Sequence, residues 1–210
     1  MKKASLIFCF FSLIGWAQSS NPASLLLDEV AAKISSYDNI KFNFSYVLEN
    51  QKEQIRQETN GKVIVEKEKY VLEIPEATQL FDGQKKYTIL PENEEINITD
   101  ATTDDDLGID PNKLLYFYQE GYDLQMDIVQ NVQGNRIQFI KLTPQDTDQG
   151  IQYLLLGIDL SSKHIYRIIE IGENGTRTTL TLQDFSPNNL LARGTFVFDA
   201  ANYPNYYINN

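Results

Sequence analysis

One histidine stands in the whole chain, His164, inside the run HIYRIIEI, and it is the first place to look for catalysis. With a serine and an aspartate it could support nucleophilic hydrolysis, but no G-x-S-x-G surrounds any serine. A structural or strand-edge histidine is the other reading. One histidine and one cysteine, Cys9, cannot build the usual zinc clusters. Asp104, Asp105, Asp106 and Asp110 gather carboxylates, yet the glycine and terminal glutamate of a calcium loop are missing. An acidic loop favouring the N-terminus of the next helix accounts for them. Glu94 and Glu95 would point to opposite faces of a strand, so they cannot flank one glycosidic bond. Neither G-x-x-x-x-G-K nor G-x-G-x-x-G occurs, so no phosphate-cradling loop is expected. The inventory points away from an enzyme, a cofactor and a metal. A secreted hydrolase acting through His164 is the enzymatic rival.

What remains is apolar. Phe42, Phe44, Tyr46 and Leu48 alternate with polar residues, as in a half-buried strand. Between Gly61 and Thr99 the alternation continues through Tyr70, Leu72 and Ile74, then Tyr87 and Ile89, then Ile96 and Ile98. Asp82-Gly83 punctuates it as a hairpin turn. These side chains are expected to share one face. Ordinary core packing would explain each of them; a binding wall for an apolar ligand would explain them together. The second reading needs a cover that can move, and Leu114, Leu115, Phe117 and Tyr118 on a short helix over 111–119, closed by Gly121, supply a candidate lid.

These residues need a scaffold. Lys2 and Lys3, an apolar stretch to Trp16 and a small-x-small site read as a secretory signal peptide over 1–17. The apolar stretch is shorter than the ~20 residues that span a bilayer, which weighs against the alternative of a membrane anchor. Residues 18–210 are expected to form a single domain with a full core. The formal charge of −11 becomes −13 once Lys2 and Lys3 are removed, which disfavours nucleic-acid partners. Asn21 and Pro22 open an amphipathic helix over 22–37. After the 111–119 helix, strands are expected near 123–130, 135–142, 151–159, 164–171, 176–185 and 195–198. The fold class is α+β, a large antiparallel sheet with helices on one side.

Several of these stretches are specific enough to compare. Phe42-x-Phe44, Gly61-x-Val63-x-Val65, the run Phe81-Asp82-Gly83 to Pro91, Leu155-x-Gly157-Ile158-Asp159 and the ending Phe196-x-Phe198-Asp199 to Ile208 resemble the LolA family of periplasmic lipoprotein carriers. The match is nearest to divergent LolA-like proteins of the Bacteroidetes type. The resemblance implies a strongly curved antiparallel sheet, an incomplete β-barrel, with helices covering its concave face. It implies a periplasmic monomer that takes lipidated proteins from an inner-membrane ABC-type release complex and shields their acyl chains. Delivery is to the outer membrane, to an acceptor there, with no cofactor. The lining residues would be Phe42, Phe44, Tyr46, Leu48, Tyr70, Leu72, Ile74, Tyr87, Ile89, Leu114, Leu115, Phe117 and Tyr118. Better-known carriers have an Arg-Pro pair whose arginine holds the lid closed. Here the stretch is Val65-Glu66-Lys67-Glu68, and Lys67 is either a substitute or an ordinary turn charge. An envelope sensor built on the same half-barrel is the rival binding function.

Overall fold

A computed structural model of the chain describes residues 21–101, 110–146 and 150–209. The leader expected over 1–17 and the carboxylates Asp104, Asp105 and Asp106 lie outside the described residues. Helix α1 spans Pro22–Ser35; the Asn21 side chain accepts from the Ala23 N–H at 2.9 Å and Pro22 takes the first helical position. It buries Ala23, Leu26, Leu27, Val30 and Ile34. A first meander follows: β1 (Ile40–Asn50), β2 (Ile55–Glu66), β3 (Lys69–Ile74), β4 (Ala77–Phe81), β5 (Lys85–Leu90) and β6 (Glu95–Asp100). The short helix α2 (Pro111–Tyr116) runs into a 3-10 turn, Phe117–Gln119. A second meander, β7 (Tyr122–Val132), β8 (Asn135–Pro144), β9 (Ile151–Asp159), β10 (Ile165–Gly172) and β11 (Arg177–Pro187), returns the chain to β1. A final strand, β12 (Tyr207–Asn209), closes the order.

The twelve strands of the described residues form one open sheet in the order β12-β6-β5-β4-β3-β2-β1-β11-β10-β9-β8-β7. Neighbours are antiparallel except β12, which runs parallel to β6. The α+β class and the incomplete barrel are as expected. The strand β1 joins the two meanders, pairing with β2 on one side and β11 on the other. Directly paired residues share a face, so the register traces the inner surface. Phe42 pairs with Val63 and Val63 with Leu72; Tyr46 pairs with Leu180 and Leu180 with Ile168. This band and the buried stripe of α1 form the main core.

Two expectations about the strands are corrected. Tyr87, Ile89, Ile96 and Ile98 do not share the face of Tyr70, Leu72 and Ile74. Leu72 pairs with Gln79 and Gln79 with Thr88, so Thr88 is on the inner side and its neighbours Tyr87 and Ile89 on the outer. The apolar side of the sheet therefore changes over at β4. On the outer side Tyr87 stacks on Phe198, with ring centroids 4.6 Å apart, beside Val71, Leu80 and Phe196. The second correction concerns 195–198, which is turn and irregular chain rather than strand. Its aromatics are spaced by two because they reach down onto that outer surface, not because they belong to a ladder. The Asp82-Gly83 hairpin is present: Asp82 accepts from the N–H groups of Gln84 and Lys85, both at 2.8 Å, and from the Tyr87 hydroxyl at 3.0 Å. Burial alone would raise the Asp82 pKa; these donors outweigh it and hold the carboxyl below its ordinary range.

Gly61 explains the start of the Gly-x-Val-x-Val stretch. A Cβ placed there would lie 2.5 Å from the ring of Phe44 and 2.5 Å from the Glu73 carbonyl oxygen. Phe44 lies across the strand and covers the glycine. Gly61→Ala should lower stability by about 1–3 kcal/mol through overpacking, measured by urea unfolding.

Candidate functional site

A cavity of about 360 Å³ opens between α2 and the inner face of the second meander. Tyr46, Leu154, Ile168, Thr178 and Leu180 form its floor, Ile151 and Tyr122 its side, and Leu114 and Phe117 its roof. Asp110 and Lys113 stand among the lining residues as well, with their charged ends 4.0 Å apart. Most of the sheet-side lining is apolar, and Glu170 is the one carboxylate on it. Glu170 is on β10 opposite Thr178 on one side and Leu154 on the other, and all three line the cavity. Burial pushes the Glu170 carboxyl above its ordinary value. The Tyr122 phenol is also raised, first by burial and then by the nearby Glu170 charge.

The residues expected to line a binding wall separate into three groups. Tyr46, Leu114 and Phe117 line the cavity. Phe42, Phe44, Tyr70, Leu72, Leu115 and Tyr118 are buried in the packed core, and Ile74 packs at its margin. Leu48 is half-buried on the same inner face, paired with Thr178. Tyr87 and Ile89 stand on the outer face and are not brought to the cavity. The sequence reading missed Glu170, Leu154, Ile168 and Leu180. The signal was available: in Ile168-Ile169-Glu170-Ile171 both faces of the strand are apolar except for one inward carboxyl. His164 is remote from the cavity lining. Its Nε2 is 2.8 Å from the Tyr37 hydroxyl and its ring stacks on Phe185 at 4.0 Å, and burial, helped by Lys33, lowers its pKa.

The comparisons with known proteins agree with this architecture. Residues 13–173 match the family described as outer membrane lipoprotein carrier protein LolA. The chain belongs to this family. An uncharacterised conserved protein from Thermus thermophilus is similar in structure at 13% identity, with TM-score 0.52, covering 88% of this chain and 94% of that one. LprF from Mycobacterium bovis is similar at 11% identity and TM-score 0.52, covering 81% and 96%. A LolA superfamily protein from Nitrosomonas europaea is similar at 13% identity and TM-score 0.44, covering 84% and 98%. No curated protein matches the sequence.

Within this LolA family member the cover is tied down differently from the expectation placed on Lys67. Lys67 occupies the β2–β3 turn with a left-handed backbone, φ 55°, and is exposed. Among the described residues its ammonium group holds no hydrogen bond or ion pair. The tie comes from the other side: the Asn112 amide on α2 donates to the carbonyl of Glu68, next to Lys67, at 2.6 Å. Asp110 caps α2, accepting from the N–H groups of Asn112 at 2.9 Å and Lys113 at 3.2 Å. Leu115 and Tyr118 sink into the core while Leu114 and Phe117 face the cavity. Among the described residues the buried Tyr118 hydroxyl has no hydrogen-bond partner.

The raised pKa of Glu170 has a direct consequence for stability. A carboxyl whose pKa is higher in the folded state favours folding below its ordinary value of 4.5, and that contribution is lost as pH rises through the folded value. At neutral pH Glu170 is therefore a cost to the empty protein. Glu170→Gln should melt at a higher temperature than the wild type at pH 7. The difference should shrink towards zero near pH 4, as followed by circular dichroism across that range.

Proposed function

We propose that the protein is a periplasmic carrier that binds the acyl chains of lipidated proteins and moves them between the inner and outer membranes. The observation that carries the reading is the apolar cavity between α2 and the inner sheet face, in a chain of the LolA family. Its volume is at the lower end of the roughly 300–1,000 Å³ typical of small-ligand sites. Burying an acyl methylene is worth ~0.8 kcal/mol, so a ten-methylene segment would gain up to ~8 kcal/mol with no polar contact. Burial of this kind needs no covalent chemistry and no cofactor. Cargo would arrive from an ABC-type release complex in the inner membrane and leave to an acceptor in the outer membrane. Among the described residues no helix is long and apolar enough to cross a membrane.

In this reading α2 is the moving cover. It is short, and one exposed hydrogen bond from Asn112 ties it to the β2–β3 turn. Its roof residues Leu114 and Phe117 are half-buried and pack at the margin of the core, so a variant there needs its fold checked alongside its binding.

Phe117→Glu should lower affinity for a fluorescent fatty acid by roughly 10- to 100-fold, because the ligand would have to desolvate a new charge. Unchanged circular dichroism would show that the fold is retained. The same variant should fail to release a lipoprotein from spheroplasts that the wild type releases; equal release by both would overturn the carrier reading. Asn112→Ala removes the tie and should speed fatty-acid dissociation a few-fold, about 3- to 10-fold, in a stopped-flow displacement experiment.

A further inference from the structure

A carboxyl group is an odd lining for a site that holds only hydrocarbon. Glu170 is fixed on the inner face by the register of β10, between Leu154 and Thr178, with Ile168 two residues along the same strand face. All four side chains line the cavity. Any ligand that fills the cavity must pass within reach of this carboxyl.

The protein offers Glu170 little in return. Among the described residues no lysine or arginine forms an ion pair with it and no hydrogen bond reaches its carboxyl. The titratable groups that share the cavity are Tyr46, Asp110, Lys113 and Tyr122. Lys113 is largely exposed and its ammonium lies nearest Asp110, at 4.0 Å. Asp110 adds a second negative charge. Tyr122 stays a neutral phenol. An ionised carboxyl half-buried among leucine and isoleucine without a cation is costly, and the cost is relieved when a cation is brought in. A protein selected only to bind acyl chains would be better served by leucine or threonine at this position, as its neighbours on the same face show.

We propose that Glu170 is the polar anchor of the cavity and that the ligand it receives is an amphiphile with an ammonium group at the base of its acyl chains. This rests on the reading of the cavity as an acyl-chain site and adds the chemistry of the head. The ammonium supplies the counter-charge that the protein lacks, donates hydrogen bonds to the carboxylate, and sets how far the chains slide along the floor. Thr178 beside Glu170 offers a hydroxyl to the same head. Two sources carry this chemistry: the free amino terminus of a lipidated protein, and an aminophospholipid.

The test compares dodecylammonium with neutral dodecyl maltoside, both below their micellar concentrations, by calorimetry on the whole protein. Wild type, Glu170→Gln and Glu92→Gln are measured; Glu92 is exposed and controls for net charge. Glu170→Gln should lose roughly tenfold in affinity for dodecylammonium and keep its affinity for dodecyl maltoside, and Glu92→Gln should change neither. Equal effects on both probes, or none on dodecylammonium, would overturn the anchor and leave the acyl-chain site standing. If neither probe binds the wild type, the acyl-chain site falls and the anchor with it. A second measurement needs no variant. In the wild type, the Glu170 carboxyl carbon followed by NMR should titrate at lower pH with dodecylammonium bound than with dodecyl maltoside bound; identical titrations would overturn the proposal. A diacylated cysteinyl peptide, with free or acetylated amino terminus, and phosphatidylethanolamine of matching chains then separate the two sources. Loss of affinity on acetylation assigns the lipidated protein, Glu170-dependent binding of the phospholipid assigns the membrane lipid, and Glu170-independent binding of both overturns the proposal.

Discussion

The inner face of the sheet has more apolar surface than its helices cover. The register of β1 against β2 and β11 aligns phenylalanines, valines and leucines in a continuous band across the middle of the sheet. A band of this kind must be buried, and at about 25 cal/mol per Å² it drives whatever packing is available. The helix α1 satisfies the part near Phe42, Val63 and Leu156 with five buried side chains. Towards Tyr46, Ile168 and Leu180 the only cover among the described residues is α2 and its 3-10 extension, and it does not fill the space. The cavity is the remainder of that mismatch, and the location of every lining residue follows from it.

The two sides of the sheet solve different problems. In β5 and β6 the apolar side faces outward, and the chain after β11 folds back over this part of the sheet, laying Phe196 and Phe198 on Val71, Leu80 and Tyr87. The same terminal segment then adds β12 alongside β6, so one edge of the sheet ends in a short parallel strand. The opposite edge, β7, keeps Met126, Ile128 and Val129 exposed. The inner surface over β4 and β5 carries Gln79, Thr88 and Lys86 between Ala77 and Phe81, and Tyr70 donates to Gln79 at 2.6 Å. Apart from Tyr46 on β1, the sheet residues that line the cavity belong to the second meander.

That division sets what could be read in the sequence. Strand existence was legible because alternation has a period of two whatever the tertiary context, and the hairpin at Asp82-Gly83 was legible from its turn chemistry. The phase between one strand and the next was not. Tyr70 and Tyr87 look equivalent in their own strands, yet the connection through β4 puts them on opposite faces. The aromatic ending at 195–198 has the spacing of a strand because it packs on one, and period alone cannot distinguish the two. Glu170 belongs to no acidic cluster; its meaning lies in being alone among apolar neighbours, which only the register reveals. Lys67 is an exposed residue of the β2–β3 turn. The tie is instead made by Asn112, whose role depends on a contact 44 residues distant in the chain.

The lid and the carboxyl are linked by one energetic requirement. If the proposed carrier reading holds, the protein must both hold its cargo and surrender it, so neither the closed empty state nor the loaded state can be too deep. Two features raise the energy of the closed empty state. Among the described residues the Tyr118 hydroxyl is buried beside α2 without a partner, and Glu170 is half-buried beneath α2 without a counter-ion. Each costs free energy that ordinary packing would avoid, since an unsatisfied buried polar group forfeits about 1–3 kcal/mol. Replacing the tyrosine by phenylalanine and the glutamate by glutamine would make a more stable protein with a better sealed lid. Their presence has the sign that the proposed moving cover would require, because stability and ease of opening draw on the same contacts. The two costs differ in kind. The Tyr118 penalty is relieved only when α2 moves away from the core, whereas the Glu170 penalty is relieved by what enters the cavity. The first favours opening in general, and the second makes closure over a ligand depend on the charge that ligand carries.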